Sequence, residues 1–122
     1  MLILELFCGT KSFSNVAEKR KHKCFTIDIK ENFNPSLCMD IMEFDIDKIP
    51  KEFQRPDVIW ASPPCIEYSH AKRRGVRKID EANAKVKKTL EIIDMLKPKY
   101  WFIENPQTGL LKKQPILNNL FY

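Results

Sequence analysis

Asp57-Val58-Ile59-Trp60-Ala61-Ser62-Pro63-Pro64-Cys65 is the stretch whose reading decides the fold. Its run of β-branched and aromatic residues has the character of a strand buried on both faces, as in a parallel sheet. The two prolines lock φ at their own positions and push the residues before them into extended geometry, so neither a helix nor further ladder pairing starts there. Cys65 is therefore presented on a stiff arm at the carboxyl end of a strand, where open α/β sheets bind their ligands. Taken alone, a cysteine after a strand is more often a small buried hydrophobe. Its candidacy as a nucleophile rests on what surrounds it.

Upstream, Leu2-Ile3-Leu4-Glu5-Leu6-Phe7 forms a first strand, Cys8-Gly9-Thr10 a tight turn, residues 12–21 a helix and residues 23–29 a second strand carrying the acid Asp28 near its end. This is half of a nucleotide-binding βαβ unit, in which turn N–H groups face a polar part of the ligand and the acid takes ribose hydroxyls. The turn has one glycine where dinucleotide folds show three. That favours a cofactor with a carboxylate tail and no phosphate, such as S-adenosylmethionine, although a single glycine is equally compatible with a plain structural turn. Residues 31–35 read as a loop and 36–39 as a short extended piece. Asp40, a polar residue among Leu37, Met39, Ile41 and Phe44, either caps a turn or meets a ligand amine. Residues 46–53 fit one short helix.

Downstream the pattern breaks. Residues 66–80 contain Ser69, His70, Lys72, Arg73, Arg74, Gly75, Arg77 and Lys78 with no clear apolar period, and read as a long cationic loop. A loop of that charge beside Cys65 suits phosphate contact, the alternative being a solvated charge run. Residues 81–97 carry Ala82, Val86, Leu90, Ile93 and Leu96 at helical spacing, with Lys85, Lys87, Lys88 and Asp94 assigned to the outer face and Pro98 as the stop. Residues 99–104 form another buried strand ending in Glu104, followed by Asn105-Pro106. A second ionisable group at the end of a neighbouring strand can converge on the cleft that holds Cys65.

The 122 residues suit one domain, and a hydrophobic fraction of 43% with 30% charge is ordinary for a packed one. No apolar run approaches a membrane span, and the opening residues 1–7, interrupted by Glu5 and preceded by no basic region, read as a strand and not a signal peptide. Four cysteines, Cys8, Cys24, Cys38 and Cys65, show neither a CxxC pair nor zinc-like spacing, so no metal is expected and the thiols read as reduced, in cytoplasm or nucleus. The net charge of +5 is compatible with a polyanionic partner without requiring one.

A thiol and a carboxyl group over a cationic loop, beside a nucleoside pocket, suggest chemistry on a pyrimidine ring. Thiolate addition at carbon 6 of cytosine turns the ring into an enamine nucleophilic at carbon 5, and a carboxylic acid at ring nitrogen 3 stabilises the adduct. The thiol needs a lowered pKa, for which a cationic loop is a source, and the carboxyl group a raised one. The base must also leave its helix stack.

At this level of detail the chain resembles the DNA (cytosine-5)-methyltransferase family, most closely the compact versions of phages and large viruses. The resemblance rests on Leu4-Glu5-Leu6-Phe7-Cys8-Gly9-Thr10, Asp28, Asp40, Ser62-Pro63-Pro64-Cys65 and Ile103-Glu104-Asn105-Pro106, in the family's order. It implies a three-layer, Rossmann-like α/β fold with a mostly parallel sheet, S-adenosylmethionine as cofactor and double-stranded DNA as substrate. It implies further that Phe7, Gly9, Thr10, Asp28, Ile29, Asp40, Ile41 and Pro64 form the cofactor site. Within that site, Asp28 would take the ribose hydroxyls and Asp40 the adenine amino group. Cys65 would be the nucleophile and Glu104 the group at ring nitrogen 3, with Ser69, Lys72, Arg73, Arg74 and Arg77 on the nucleic-acid backbone.

The chain departs from the family's commoner pattern at Lys11 and Ser12 (glycines), Ile29 (an aromatic), Ile66 (glutamine) and Pro106 (valine). The family also continues beyond the motifs seen here, with a target-recognition region and a closing helix. The expectation is therefore an amino-terminal portion of a longer protein, its apolar tail covered by a separate carboxyl-terminal piece or by a homodimer partner. A tRNA cytosine-5 methyltransferase and a non-catalytic remnant of the same fold that binds nucleic acid or a partner are the alternatives. An amino-methyltransferase fits less well, because those enzymes follow the prolines with an aromatic residue. The expected compartment is the cytoplasm, or the host cytoplasm or nucleus for a viral protein.

Overall fold

The computed structural model describes residues 1–63 and 76–104, with the side chains of 76–82 excepted. Among these residues five strands form a parallel sheet in the order β3-β2-β1-β4-β5: β1 Leu2–Leu6, β2 Lys23–Asp28, β3 Leu37–Cys38, β4 Val58–Ala61 and β5 Tyr100–Ile103. The helix α1, Ser12–Lys19, connects β1 to β2, and α2, Val76–Leu96, precedes β5. The strand order reverses at β1, which pairs with β2 on one side (Leu4 opposite Phe25) and β4 on the other (Leu4 opposite Ile59). A crevice at the carboxyl ends of β1, β2 and β4 follows from that topology.

The apolar runs alternate between two covered faces. Leu4, Leu6, Ile27, Ile59 and Ala61 join the larger core cluster with Ile92, Ile93 and Leu96 of α2 and with Ile41, Ile49 and Phe53 from the segment before β4. Ile3 and Val58 point the other way and pack on Ala17 of α1. Because successive strand side chains alternate, covering both faces requires apolar residues at nearly every position, and that is why these strands are legible as continuous runs. On the α1 face Phe13 stacks on Trp60 with ring centroids 4.2 Å apart and planes within 6°. Tyr100 and Phe102, on the same face at β5, remain about half exposed.

Glu5 is the exception in β1. It is 2% exposed, and its Oε1 accepts hydrogen bonds from the Ser14 hydroxyl at 2.5 Å and the Ser14 amide at 3.2 Å. Lys11, at the N-cap of α1, contributes no side-chain cap, so a carboxyl group from the neighbouring strand satisfies one of the helix's free amides. Burial raises the Glu5 pKa above its ordinary 4.5, against the Ser14 hydrogen bonds, and Asp28 and Glu104 add repulsion. A native carboxyl group with a raised pKa holds its proton more tightly than the unfolded chain does. Its contribution to stability is thus complete below pH 4.5 and is lost as pH rises through the native pKa. Glu5→Gln keeps the acceptor oxygen and removes the titration. We expect its melting temperature to decline less than that of the wild type as pH rises from 4.5; parallel melting curves would refute the coupling.

Three expectations are corrected. Residues 46–53 form not one helix but two 3-10 turns, Ile46–Lys48 and Lys51–Gln54, because Pro50 cannot donate to a continuing helix. The first is capped by Asp45, whose Oδ1 accepts from the Asp47 amide. The cationic stretch 66–80 is not loop to its end, since α2 begins at Val76, five residues before the expected start at Glu81. Arg77 and Lys78 mask a period that Ile79, Ala82 and Val86 continue. Lys85, assigned to the outer face of α2, is half-buried and lines a cavity described below. At its other end α2 stops where expected, with Lys97 left-handed at φ 48° and Pro98 behind it.

Candidate cofactor and catalytic site

The turn between β1 and α1 is built from left-handed residues: Phe7 at φ 55°, Gly9 at 48° and Lys11 at 61°. Gly9 suits this without strain, and a Cβ there would meet nothing within 4 Å, so the conformation and not the space calls for glycine. Phe7 and Lys11 adopt a region that side-chain-bearing residues seldom occupy, a feature that concentrates at functional sites. Asp28 holds the turn in place: its Oδ2 accepts from the Gly9 amide at 2.9 Å and its Oδ1 from the Lys30 amide at 2.8 Å. The acid at the end of β2 is thus fixed on the crevice, its remaining lone pairs open to a diol.

A cavity of about 290 Å³ opens there, lined by Phe7, Ile27, Asp28, Ile29, Lys30, Phe33, Met39, Asp40, Ile41, Met42, Ser62 and Lys85. Small-molecule pockets span roughly 300–1,000 Å³, and this one, largely apolar with a few carboxylates, suits a nucleoside. Five expected cofactor residues meet in it: Phe7, Asp28, Ile29, Asp40 and Ile41. Asp40 fulfils the turn-capping expectation, with Oδ1 accepting from the Met42 amide at 2.9 Å, and also lies on the cavity. Gly9 does not line it and reaches it only through Asp28. Thr10 is exposed and accepts from the Asn15 side chain through its carbonyl.

Glu104 follows β5 on the same rim. Its amide donates to the Ala61 carbonyl at 2.8 Å, and the Ser62 hydroxyl donates to its Oε2 at 3.5 Å. Parallel pairing of β4 with β5 (Ala61 opposite Ile103) brings these chain ends side by side. Glu104 therefore sits against Ser62, three positions before Cys65, while Ser62 also borders the cavity. The carboxylate is exposed, in contrast to the burial expected of it. Pro64, Cys65, Ser69, Lys72, Arg73 and Arg74 lie outside the described residues, and so does the side chain of Arg77.

Two of the described thiols are disfavoured as nucleophiles by burial. Burial pushes Cys8 up to about 11, with Asp28 and Glu5 adding repulsion, and burial also raises Cys24. Cys38 is exposed on β3, its Sγ 3.3 Å from the Ile29 carbonyl. Among the described residues no group of His, Cys, Asp and Glu could hold a metal ion, and no helix is long and apolar enough to cross a membrane.

Sequence reasoning missed Phe33, Lys30, Met42 and Lys85 as cavity residues. Phe33 sits in a stretch read as loop, and Lys85 was assigned by charge to the solvent face. The only signal for Lys85 is its place one residue before Val86, on a helix turn that passes over Ile41–Glu43.

Comparison with known proteins meets this geometry from another side. The sequence profile of the C-5 cytosine-specific DNA methylases matches residues 1–120. A "Probable DNA (cytosine-5)-methyltransferase" of Frog virus 3 (isolate Goorha) is 34% identical across 93% of this chain, and the match spans 57% of that relative's length. A parallel sheet with β1 at its switch point, an acid-bearing cavity on that crevice and a match along nearly the whole chain converge on one lineage: the chain belongs to the C-5 cytosine-specific DNA methylase family.

Proposed function

We propose that this chain carries the cofactor-binding and catalytic motifs of an S-adenosylmethionine-dependent DNA cytosine carbon-5 methyltransferase. The observation that carries the proposal is the meeting of two sets of groups on one sheet rim: the cavity of Phe7, Asp28, Ile29, Asp40 and Ile41, and Glu104 against Ser62, the residue that Pro63, Pro64 and Cys65 follow in sequence.

S-adenosylmethionine, when bound, supplies a methyl group activated by its sulfonium. Asp28 accepts the ribose hydroxyls with the lone pairs its two backbone contacts leave free, and Asp40 accepts from the adenine amino group. Phe7 and Ile41 exclude water from the nucleoside. Cys65, as thiolate, adds to carbon 6 of a cytosine flipped out of duplex DNA, and the electron pair of the 5,6 double bond moves toward carbon 5. Glu104 donates a proton to ring nitrogen 3 as charge builds there and so stabilises the adduct. After carbon 5 is methylated, loss of its proton restores the double bond and expels the Cys65 thiolate. Lys72, Arg73, Arg74 and Arg77 neutralise the DNA backbone next to the flipped base, and the Ser69 hydroxyl donates to a phosphate oxygen.

The test is calorimetric titration of the chain with S-adenosylmethionine, then denaturing electrophoresis after incubation with cofactor and a duplex containing 5-fluorocytosine. Fluorine at carbon 5 blocks proton loss, so a covalent protein–DNA band is the expected outcome. Cofactor binding without a band on any cytosine context would count against the covalent mechanism in this chain, and absence of binding against the cofactor assignment.

A further inference from the structure

Phe33 ends the 3-10 turn Glu31–Phe33 between β2 and β3, a turn in which no residue is fully buried. The ring is half-buried and lines the cavity, yet among the described residues it joins neither the cluster around Leu4 nor the one around Ile3. The other aromatic ring on the cavity, Phe7, packs against the larger cluster. Ile29, next to Asp28, offers a branched aliphatic side chain that is 61% exposed.

The turn that carries Phe33 is anchored. Asn34, left-handed at φ 52°, donates its amide to the Glu31 carbonyl at 2.9 Å, and its own carbonyl accepts from Lys11 Nζ at 3.1 Å. Lys11 is one of the left-handed residues of the β1–α1 turn, so this contact ties the two turns flanking Asp28 to one another across 23 positions of sequence. An aromatic ring outside both of those clusters, at a nucleoside-sized cavity on a turn tied to a lysine of the adjoining turn, has the chemistry of a stacking wall for a flat heteroaromatic ring.

Building on the cofactor assignment above, we infer that Phe33 is the surface on which the adenine of S-adenosylmethionine stacks, and that Lys11 is the positioning residue that holds Phe33 in place. Loss of one aromatic–base stack lowers affinity by about tenfold or more. Ile29 contributes a smaller contact at the cavity mouth.

Titration of the full chain with S-adenosylmethionine tests this. Phe33→Ala is expected to raise Kd about tenfold or more, and Ile29→Ala by no more than about threefold. Phe33→Trp is expected to retain affinity and to add indole emission that cofactor quenches beyond any change in the wild type. Lys11→Met is expected to weaken binding about threefold and, combined with Phe33→Trp, to reduce the added quenching, while Lys11→Arg restores both. A melting temperature for each variant separates loss of the wall from loss of the fold. Wild-type affinity in Phe33→Ala would overturn the inference alone, as would Phe33→Trp showing no quenching beyond the wild type. A wild-type chain that does not bind would overturn the cofactor assignment, and the inference with it.

Discussion

On the proposed mechanism, Cys65→Ala is expected to abolish methyl transfer and the covalent band on 5-fluorocytosine DNA, with cofactor affinity within about twofold of wild type. Removal of a nucleophile from a covalent mechanism lowers turnover by at least about a thousandfold, because no other group forms the intermediate. The other cysteines cannot substitute. With its pKa raised to about 11 by burial, Cys8 is ionised in only about one molecule in ten thousand at pH 7. Cys24 is raised in the same direction, and Cys38 lies on β3, at the far edge of the described sheet from β5. Replacing Cys8, Cys24 and Cys38 one at a time by serine should therefore leave the covalent band, and only Cys65→Ala should remove it. Measurable methyl incorporation by Cys65→Ala would refute covalent catalysis through this residue.

Asp28→Ala is expected to have the second large effect, a double one. Its carboxylate holds the Gly9 amide and the Lys30 amide at once, and a hydrogen bond to a charged group contributes about 1.5–3 kcal/mol when well buried. Asp28 is only half-buried, so a total loss of about 2–4 kcal/mol of stability is the expected size. Cofactor affinity should fall further than Phe33→Ala takes it, by about a hundredfold, since the ribose partner and the geometry of the turn go together. Thermal melting and titration read the two parts separately. Asp28→Asn, which keeps an acceptor at one oxygen, should recover part of the stability and little of the affinity. A variant that melts early but binds as tightly as wild type would leave Asp28 a purely structural role.

The strands were legible because a parallel sheet covered on both faces needs apolar residues at nearly every position. Val58, Ile59 and Trp60, or Leu2, Ile3 and Leu4, can hardly be read otherwise. Asp28, Asp40 and Glu104 were legible as acids at strand ends, where side chains turn from the core toward the crevice. The start of α2 was not, because its first turn is cationic and its apolar period emerges only from Ile79 onward. Glu5 looked like an interruption of an apolar strand; its role depends on Ser14, which reaches it only after α1 has folded back over the sheet. Phe33 and Lys85 were missed for a related reason. Each lies in a segment whose local composition is polar, and each acquires its place through long-range packing that no local pattern encodes.

The parallel order of the sheet also sets a timetable for synthesis. β1 leaves the ribosome before β4, and its pairing with β4 depends on residues such as Asp57, which accepts from the Leu2 amide 55 positions away. At about 5–20 residues per second, one apolar edge of β1 stays without its partner for about 3–11 s of translation. Slower elongation prolongs that exposure, so rare codons between β2 and β4 should lower soluble yield more than the same codons placed after β4.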